Sequence, residues 1–249
     1  MGVGSMALMQ PYFVPYIGYF QLIRTVDLFV VYDGIQYIRE GWINRNRILL
    51  DGRPHWLTLP VERGALSDLV SAKRLEERNR EKIRRKILTT LRHAYGGAPF
   101  LEGTFALAQE ILAYEGSGLL DFLMRSLTLV CRRIGIETPI VTASSIERGG
   151  TGLSGQDRVL GICRDAGAAR YVNSPGGTGL YDGRAFAAEG IELLFLKPSP
   201  RPYSQGGGEF VPGLSILDVL MWNDPAAVRE MLGDCRLESA GASTDAVPG

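Results

Sequence analysis

Histidine and cysteine are scarce in this chain, two and three residues in 249. His55, His93, Cys131, Cys163 and Cys235 fall into no zinc-ligand spacing, so no metal site is expected. No Ser/His/Asp or Cys/His set stands in a recognisable context either. Cys131 and Cys163 sit in helical apolar patterns and read as reduced core thiols. No secretory leader precedes the first apolar strand, and the expected location is cytoplasmic. No apolar run approaches the roughly 18 residues of a membrane-spanning helix. Net charge is missing too: 27 Lys/Arg meet 27 Asp/Glu, so no global field recruits nucleic acid.

The charge that is present is unevenly placed. Residues 62–93 carry ten Lys/Arg and five Asp/Glu, whereas residues 209–249 carry two and seven. The basic run reads as a solvated helix face; residues 80–86 are the one place suited to a tRNA donor.

Apolar patterning then sets the fold. "ALM" and "LFVVYD" are short buried strands around a helix at about 16–24, the βαβ rhythm of a parallel sheet. "HWLTLPV" at 55–61 alternates and reads as a third strand, with "SDLVSAKRL" as a weaker fourth. Helical stripes follow in "NREKIRRKILTTLRHAYGG", "PFLEGTFALAQEILAY" and "GLLDFLMRSLTLVCRRIGI". Strands return at "PIVTASS", "RYVNS" and "IELLFLK", separated by helices, and two helices close the pattern. The expected class is α/β: a parallel or mostly parallel sheet with flanking helices and a central helical segment at about 78–135. One domain is expected over 1–236, with a disordered tail at 237–249.

In open α/β sheets ligands sit beyond the carboxyl ends of the strands. Four segments emerge there. The first, "MQPYFVPYIGYFQLI", is bulky and stiff where a connector would be short and polar. Gln10, Tyr12, Tyr16 and Tyr19 are its candidate contacts, and Gly18 would let the backbone approach a ligand. The second, residues 33–47, gathers Gln36, Arg39, Trp42, Asn44, Arg45 and Arg47. Guanidinium forks hold phosphate or carboxylate, while amides read sugar or base edges; an irregular turn or hairpin is the plainer reading. The third, "ERGGTGLSG", and the fourth, "NSPGGTGLYDG", are glycine-rich but match neither a P-loop nor a dinucleotide fingerprint. The fourth offers Asn173, Ser174, Gly176, Gly177 and Tyr181 as a lining. Asp182 there is either a helix cap or a base. Asp33, directly after an apolar strand, is the favoured carboxylate, and His55 is the remaining acid–base candidate. Gln205, in "PYSQGGGEF", belongs to a loop read as a lid.

Taken together, "MQPYFVPYIGYFQLI…VDLFVVYDGIQYIREGWINRNRIL…WLTLPV", "YVNSPGGTGLYD" and "PYSQ…FVPGLSILDVLMWN" resemble the WbqC-like family. The resemblance implies a place among genes for O-antigen, other surface glycans or specialised metabolites. It fixes neither reaction nor cofactor. The family pattern opens "HQP", and Met9 stands where that histidine would be. The opening strand–loop–helix–strand also loosely resembles the HIGH-type nucleotidyltransferase scaffold without its histidines. The expected architecture is therefore Rossmann-like and loosely nucleotidyltransferase-like.

The function expected is a transferase acting on a sugar nucleotide or amino-sugar intermediate, moving an acyl or aminoacyl group onto an amine. The alternatives are a magnesium-dependent nucleotidyl or adenylyl transferase, and a non-catalytic module binding a sugar nucleotide or tRNA.

Overall fold

The computed structural model describes residues 2–65, 67–148 and 153–240. β1 (Ser5–Met9), α1 (Ile17–Thr25) and β2 (Leu28–Val31) form the first βαβ unit. A hairpin follows, β3 (Arg45–Leu50) and β4 (Arg53–Thr58), and then α2 (Arg80–Ala94), α3 (Leu101–Leu112) and α4 (Leu119–Ile134). The chain returns through β5 (Ile140–Thr142), α5 (Gly155–Ala166), β6 (Arg170–Asn173), α6 (Gly183–Ala188) and β7 (Glu192–Pro198). It continues through α7 (Ile216–Trp222), α8 (Pro225–Met231) and β8 (Cys235–Ser239).

Six strands make one sheet in the order β5-β2-β1-β6-β7-β8. The first five run parallel, and β8 pairs antiparallel with β7. The fold is thus α/β with a mostly parallel sheet flanked by helices. Because β1 is central, the winding direction reverses between β1 and β6, and that gap is the switch point of the sheet. Period-two alternation assigns the faces. Ala7, Phe29, Val31, Val172 and Leu194 pack on one side with α1, the α2–α4 segment, α7 and α8. Met6, Leu8, Val30, Tyr171 and Phe195 pack on the other with α5 and α6. The helical segment joins the first layer through specific bonds: Phe100 N–H to the Met221 carbonyl at 3.1 Å, and Thr104 Oγ1 to the Leu220 carbonyl at 2.9 Å.

Three expectations need correcting. The strand read at 55–61 runs from Arg53 to Thr58 and belongs to the separate two-stranded sheet β3-β4. The weaker strand "SDLVSAKRL" is instead a 3-10 turn, Val70–Ala72, between single bridges joining Leu69 to Gln36 and Leu75 to Val61. The tail does not begin at 237: Leu237 pairs with Leu196 inside β8. Residues 241–249 lie outside the described residues.

The bulky opening stretch is a packing hub. Val14 is buried at φ +37°, a conformation that a β-branched residue adopts only when its surroundings hold it. Asn46 Nδ2 donates to the Phe13 and Val14 carbonyls at 3.0 and 3.1 Å, and Ser215 Oγ donates to Val14 at 2.7 Å. Ile216 N–H reaches the Pro15 carbonyl at 2.8 Å. The loop is bulky because it ties α1, β3 and α7 together.

Candidate functional site

Four adjacent strands, β5, β2, β1 and β6, deliver the four segments to the carboxyl edge of the sheet. Asp33 follows β2 and is 4% exposed. Its Oδ1 accepts the Ser144 N–H at 3.1 Å, which ties the β2 and β5 exits together. Arg158, near the start of α5, forms a fork on Glu147 at 2.6 and 2.9 Å and donates to the Gly34 carbonyl at 3.2 Å. Its guanidinium lies 4.9 Å from the Tyr32 ring centroid. Across the switch point, buried Asn173 accepts the Ser174 N–H at 2.7 Å. A side chain at 177 would strike Asn173 Nδ2 at 2.3 Å, so Gly177 accommodates that amide. Gly176 faces open space, within the short turn Pro175–Gly177. The core of the third segment, residues 149–152, lies outside the described residues.

The opening stretch contributes less surface than expected. Tyr19 is buried and donates to the Gln10 carbonyl at 2.8 Å. Gln10, Tyr12 and Tyr16 remain half-buried, and burial pushes the Tyr12 and Tyr16 phenols upward, so both stay neutral near pH 7. Gly18 is occupied from within: a Cβ there would meet the Tyr16 ring at 2.3 Å. The close approach is made by Tyr16.

Asp182 has a capping task, because it accepts the Arg184 N–H at 2.9 Å at the start of α6. Tyr181 packs edge-on against Tyr171 and Phe186, both at 5.7 Å between centroids. Asp182→Asn keeps a good cap. The expected result is turnover within about twofold of the parent and an unchanged Tm; a hundredfold loss of turnover in a folded variant would restore Asp182 as the base.

His55 is exposed on β4, opposite Ile48, and lines none of the cavities described here. Gln205 is 7% exposed and turned inward. It accepts Val211 N–H at 2.8 Å, and its Nε2 donates to the Val211 carbonyl at 3.1 Å and to Asp218 at 3.0 Å. It closes the glycine loop as a clamp, with no group left toward a ligand at those atoms.

The second segment forms an open polar feature. The loop after Asp33 and the hairpin enclose a cavity of about 510 Å³ lined by Tyr37, Arg39, Asn44, Arg45, Arg63 and Lys73, with Glu40, Glu62 and Thr58. Four cations therefore face two carboxylates. Lys73 is buried and held by Asp68 at 2.8 Å. Arg45 Nε donates to the Gly41 carbonyl at 3.2 Å, and its guanidinium lies 4.2 Å from the Trp56 ring centroid. Arg39 and Arg63 have no hydrogen-bond or ion-pair partner among the described residues. Gln36 bridges to Leu69 at the edge of this loop. Arg63, Lys73 and Thr58 were not among the residues singled out by sequence. Single bridges at Leu69 and Leu75 bring the 61–75 segment here, and no local pattern announces them. Among the described residues no three His, Cys, Asp or Glu side chains gather as metal ligands.

The WbqC-like protein family model matches residues 10–230, which includes both the sheet edge and the cavity. The chain belongs to the WbqC-like protein family. Rv1507c of Mycobacterium tuberculosis is similar to this WbqC-like protein, 30% identical over 244 residues, covering 93% of this chain and 99% of that one. No solved structure matches it. No helix among its described residues is long and apolar enough to cross a membrane.

Proposed function

We propose that this WbqC-like protein is a transferase acting on a sugar nucleotide or amino-sugar intermediate of surface-glycan or specialised-metabolite biosynthesis. It moves an acyl or aminoacyl group onto an amine. One juxtaposition carries the reading: buried Asp33 at the sheet edge and cavity-lining Tyr37 are four residues apart. That length of chain spans at most about 14 Å. Phosphates anchored by Arg39, Arg45, Arg63 and Lys73 would leave the far end of a nucleotide-sized ligand beside the carboxylate. In the transfer, the amine nitrogen bonds to the carbonyl carbon and its proton passes to Asp33. The departing oxygen or sulfur leaves with its electron pair and takes a proton in turn.

The test is a panel of nucleoside-diphosphate sugars screened by ligand-observed NMR, followed by mass spectrometry for acylated amino-sugar products. Arg63→Ala is expected to weaken binding by roughly 1.5–3 kcal/mol, the worth of a charged hydrogen bond, with Tm unchanged. No binding by any member would overturn the reading. Magnesium-dependent pyrophosphate release without acyl transfer would replace it with nucleotidyl transfer.

A tRNA-borne donor is the second reading, favoured by Lys82, Arg85 and Lys86, which are exposed on one side of α2. Arg80 does not join them; it donates to the Gly116 carbonyl at 2.8 Å and pairs with Glu77 at 3.1 Å. RNA binding that weakens steeply with salt would support this donor.

A further inference from the structure

We propose that the β3-β4 hairpin is the nucleoside half of this site, with a nucleotide ring lying against the indoles of Trp42 and Trp56 while its phosphates enter the cavity. The inference rests on the transferase reading for its location and adds the place of the nucleoside and the residues that hold it. Trp42 and Trp56 are 37% and 40% exposed, unusual for indoles in a chain that has only three. Their ring centroids lie 5.3 Å apart at a tilt of 45°.

Both indoles are held in place. The Arg47 guanidinium sits 5.3 Å from the Trp42 ring and 5.9 Å from the Trp56 ring, and Arg45 covers Trp56 at 4.2 Å. The Trp42 carbonyl accepts the Phe13 N–H at 3.1 Å, fixing its backbone to the opening stretch. An aromatic surface pinned by cations suits a flat π-system, and every nucleobase has one. Arg45 belongs to both features, since it stacks on Trp56 and lines the cavity.

A second, independent observation points to a ligand with donors as well as anionic oxygens. Asn44 lines the cavity at 8% exposure, and its Oδ1 is buried with no hydrogen-bond partner. Its amide orientation is set by Nδ2, which donates to the Leu59 carbonyl at 2.8 Å. A bare anion would satisfy the guanidiniums and leave that acceptor empty. A nucleotide brings ribose hydroxyls or base N–H groups along with its phosphates.

The experiment titrates the full chain with uridine, adenosine and guanosine diphosphate and, separately, with pyrophosphate, reading indole fluorescence and calorimetric affinity. At least one nucleoside diphosphate should bind tenfold or more tightly than pyrophosphate and quench the emission. Trp56→Leu should reduce that nucleotide to pyrophosphate's affinity, with Trp42→Leu as the substitute should Trp56→Leu fail to fold. Arg63→Gln should weaken both ligands alike. Equal affinities for nucleotide and pyrophosphate, unchanged in the tryptophan variants, would overturn the stacking site and leave the anion cavity of the transferase standing. Binding of neither would overturn both. Single-stranded RNA that outcompetes every diphosphate would overturn the assignment to a small nucleotide.

Discussion

Asp33→Asn is expected to yield a folded protein whose turnover is lower by about 10²–10⁴-fold, the usual contribution of a positioned general base. The substitution isolates proton transfer because of how the residue is held. Asp33 Oδ1 accepts the Ser144 N–H at 3.1 Å, and the amide oxygen of asparagine can accept it as well. The exits of β2 and β5 therefore stay tied, and the cation cavity beginning at Tyr37 keeps its shape. What disappears is the ability to take a proton from an attacking amine. The measurement is turnover with the sugar-nucleotide substrate found by screening, alongside Tm and ligand affinity. Binding near the parent value with collapsed turnover is the expected pair. Turnover within about threefold of the parent would remove Asp33 from the chemistry.

Asp218→Leu is expected to destabilise the fold by roughly 3–5 kcal/mol, because it orphans three buried donors. Asp218 has no exposed surface. Its Oδ1 accepts Tyr203 Oη at 2.6 Å and Gln205 Nε2 at 3.0 Å, and its Oδ2 accepts Tyr95 Oη at 2.8 Å. The carboxylate thus joins α7 to the end of α2 and to the glycine loop. For a chain of this size such a loss lowers Tm by about 10 °C, measurable by calorimetry or denaturant titration. A change below about 1 kcal/mol would show that the three donors find other partners.

The same carboxyl has a pH signature. Burial raises its pKa above the ordinary aspartate value, while the bonds from Tyr203, Tyr95 and Gln205 pull it back in part. A raised folded-state pKa means that the folded protein holds the proton more tightly than the unfolded chain. The contribution is complete below the unfolded value, about 4, and is lost as pH rises through the folded value. Stability from this residue therefore falls with rising pH across that window. Asp218→Asn should remove the slope, and denaturant titrations of both proteins between about pH 4 and 7 would detect it.

The parallel strands and the helices were legible because their patterns are local: apolar runs in β1 and β2, and 3.6-residue stripes in α2 to α4. The hairpin was legible only in part: its second strand alternates, while for residues 33–47 a hairpin stood as one plain reading beside a binding cluster. The inward positions are Asn44, just before β3, and Asn46 at its start, whose amides bond the backbone of Leu59, Phe13 and Val14; Ile48 follows on the same face. The outward positions are Arg45 and Arg47, which stack on indoles. A strand that opens with polar residues on both faces and ends in three consecutive apolar ones shows no alternation to read. Gly18 and Gln205 misled for a related reason. A glycine or glutamine in a suggestive loop looks alike whether its partner is a ligand or another part of the chain. For Gly18 the partner is Tyr16, two residues back; for Gln205 it is Val211 and Asp218. The place of Asp33 at the sheet edge was legible, since it directly follows an apolar strand.

The central place of β1 has a consequence for how the chain is made. Ser5 and Met6 leave the ribosome 165 residues before their partners Arg170 and Tyr171. At cellular synthesis rates that interval is on the order of ten to thirty seconds. β2 can cover one side of β1 almost at once; the other side stays an open row of backbone donors and acceptors along the apolar segment Ser5–Met9. Nascent chains halted before Arg170 should therefore be the aggregation-prone ones, and those extended past β7 should be soluble. Of the strands in this sheet, β1 waits longest for its second neighbour.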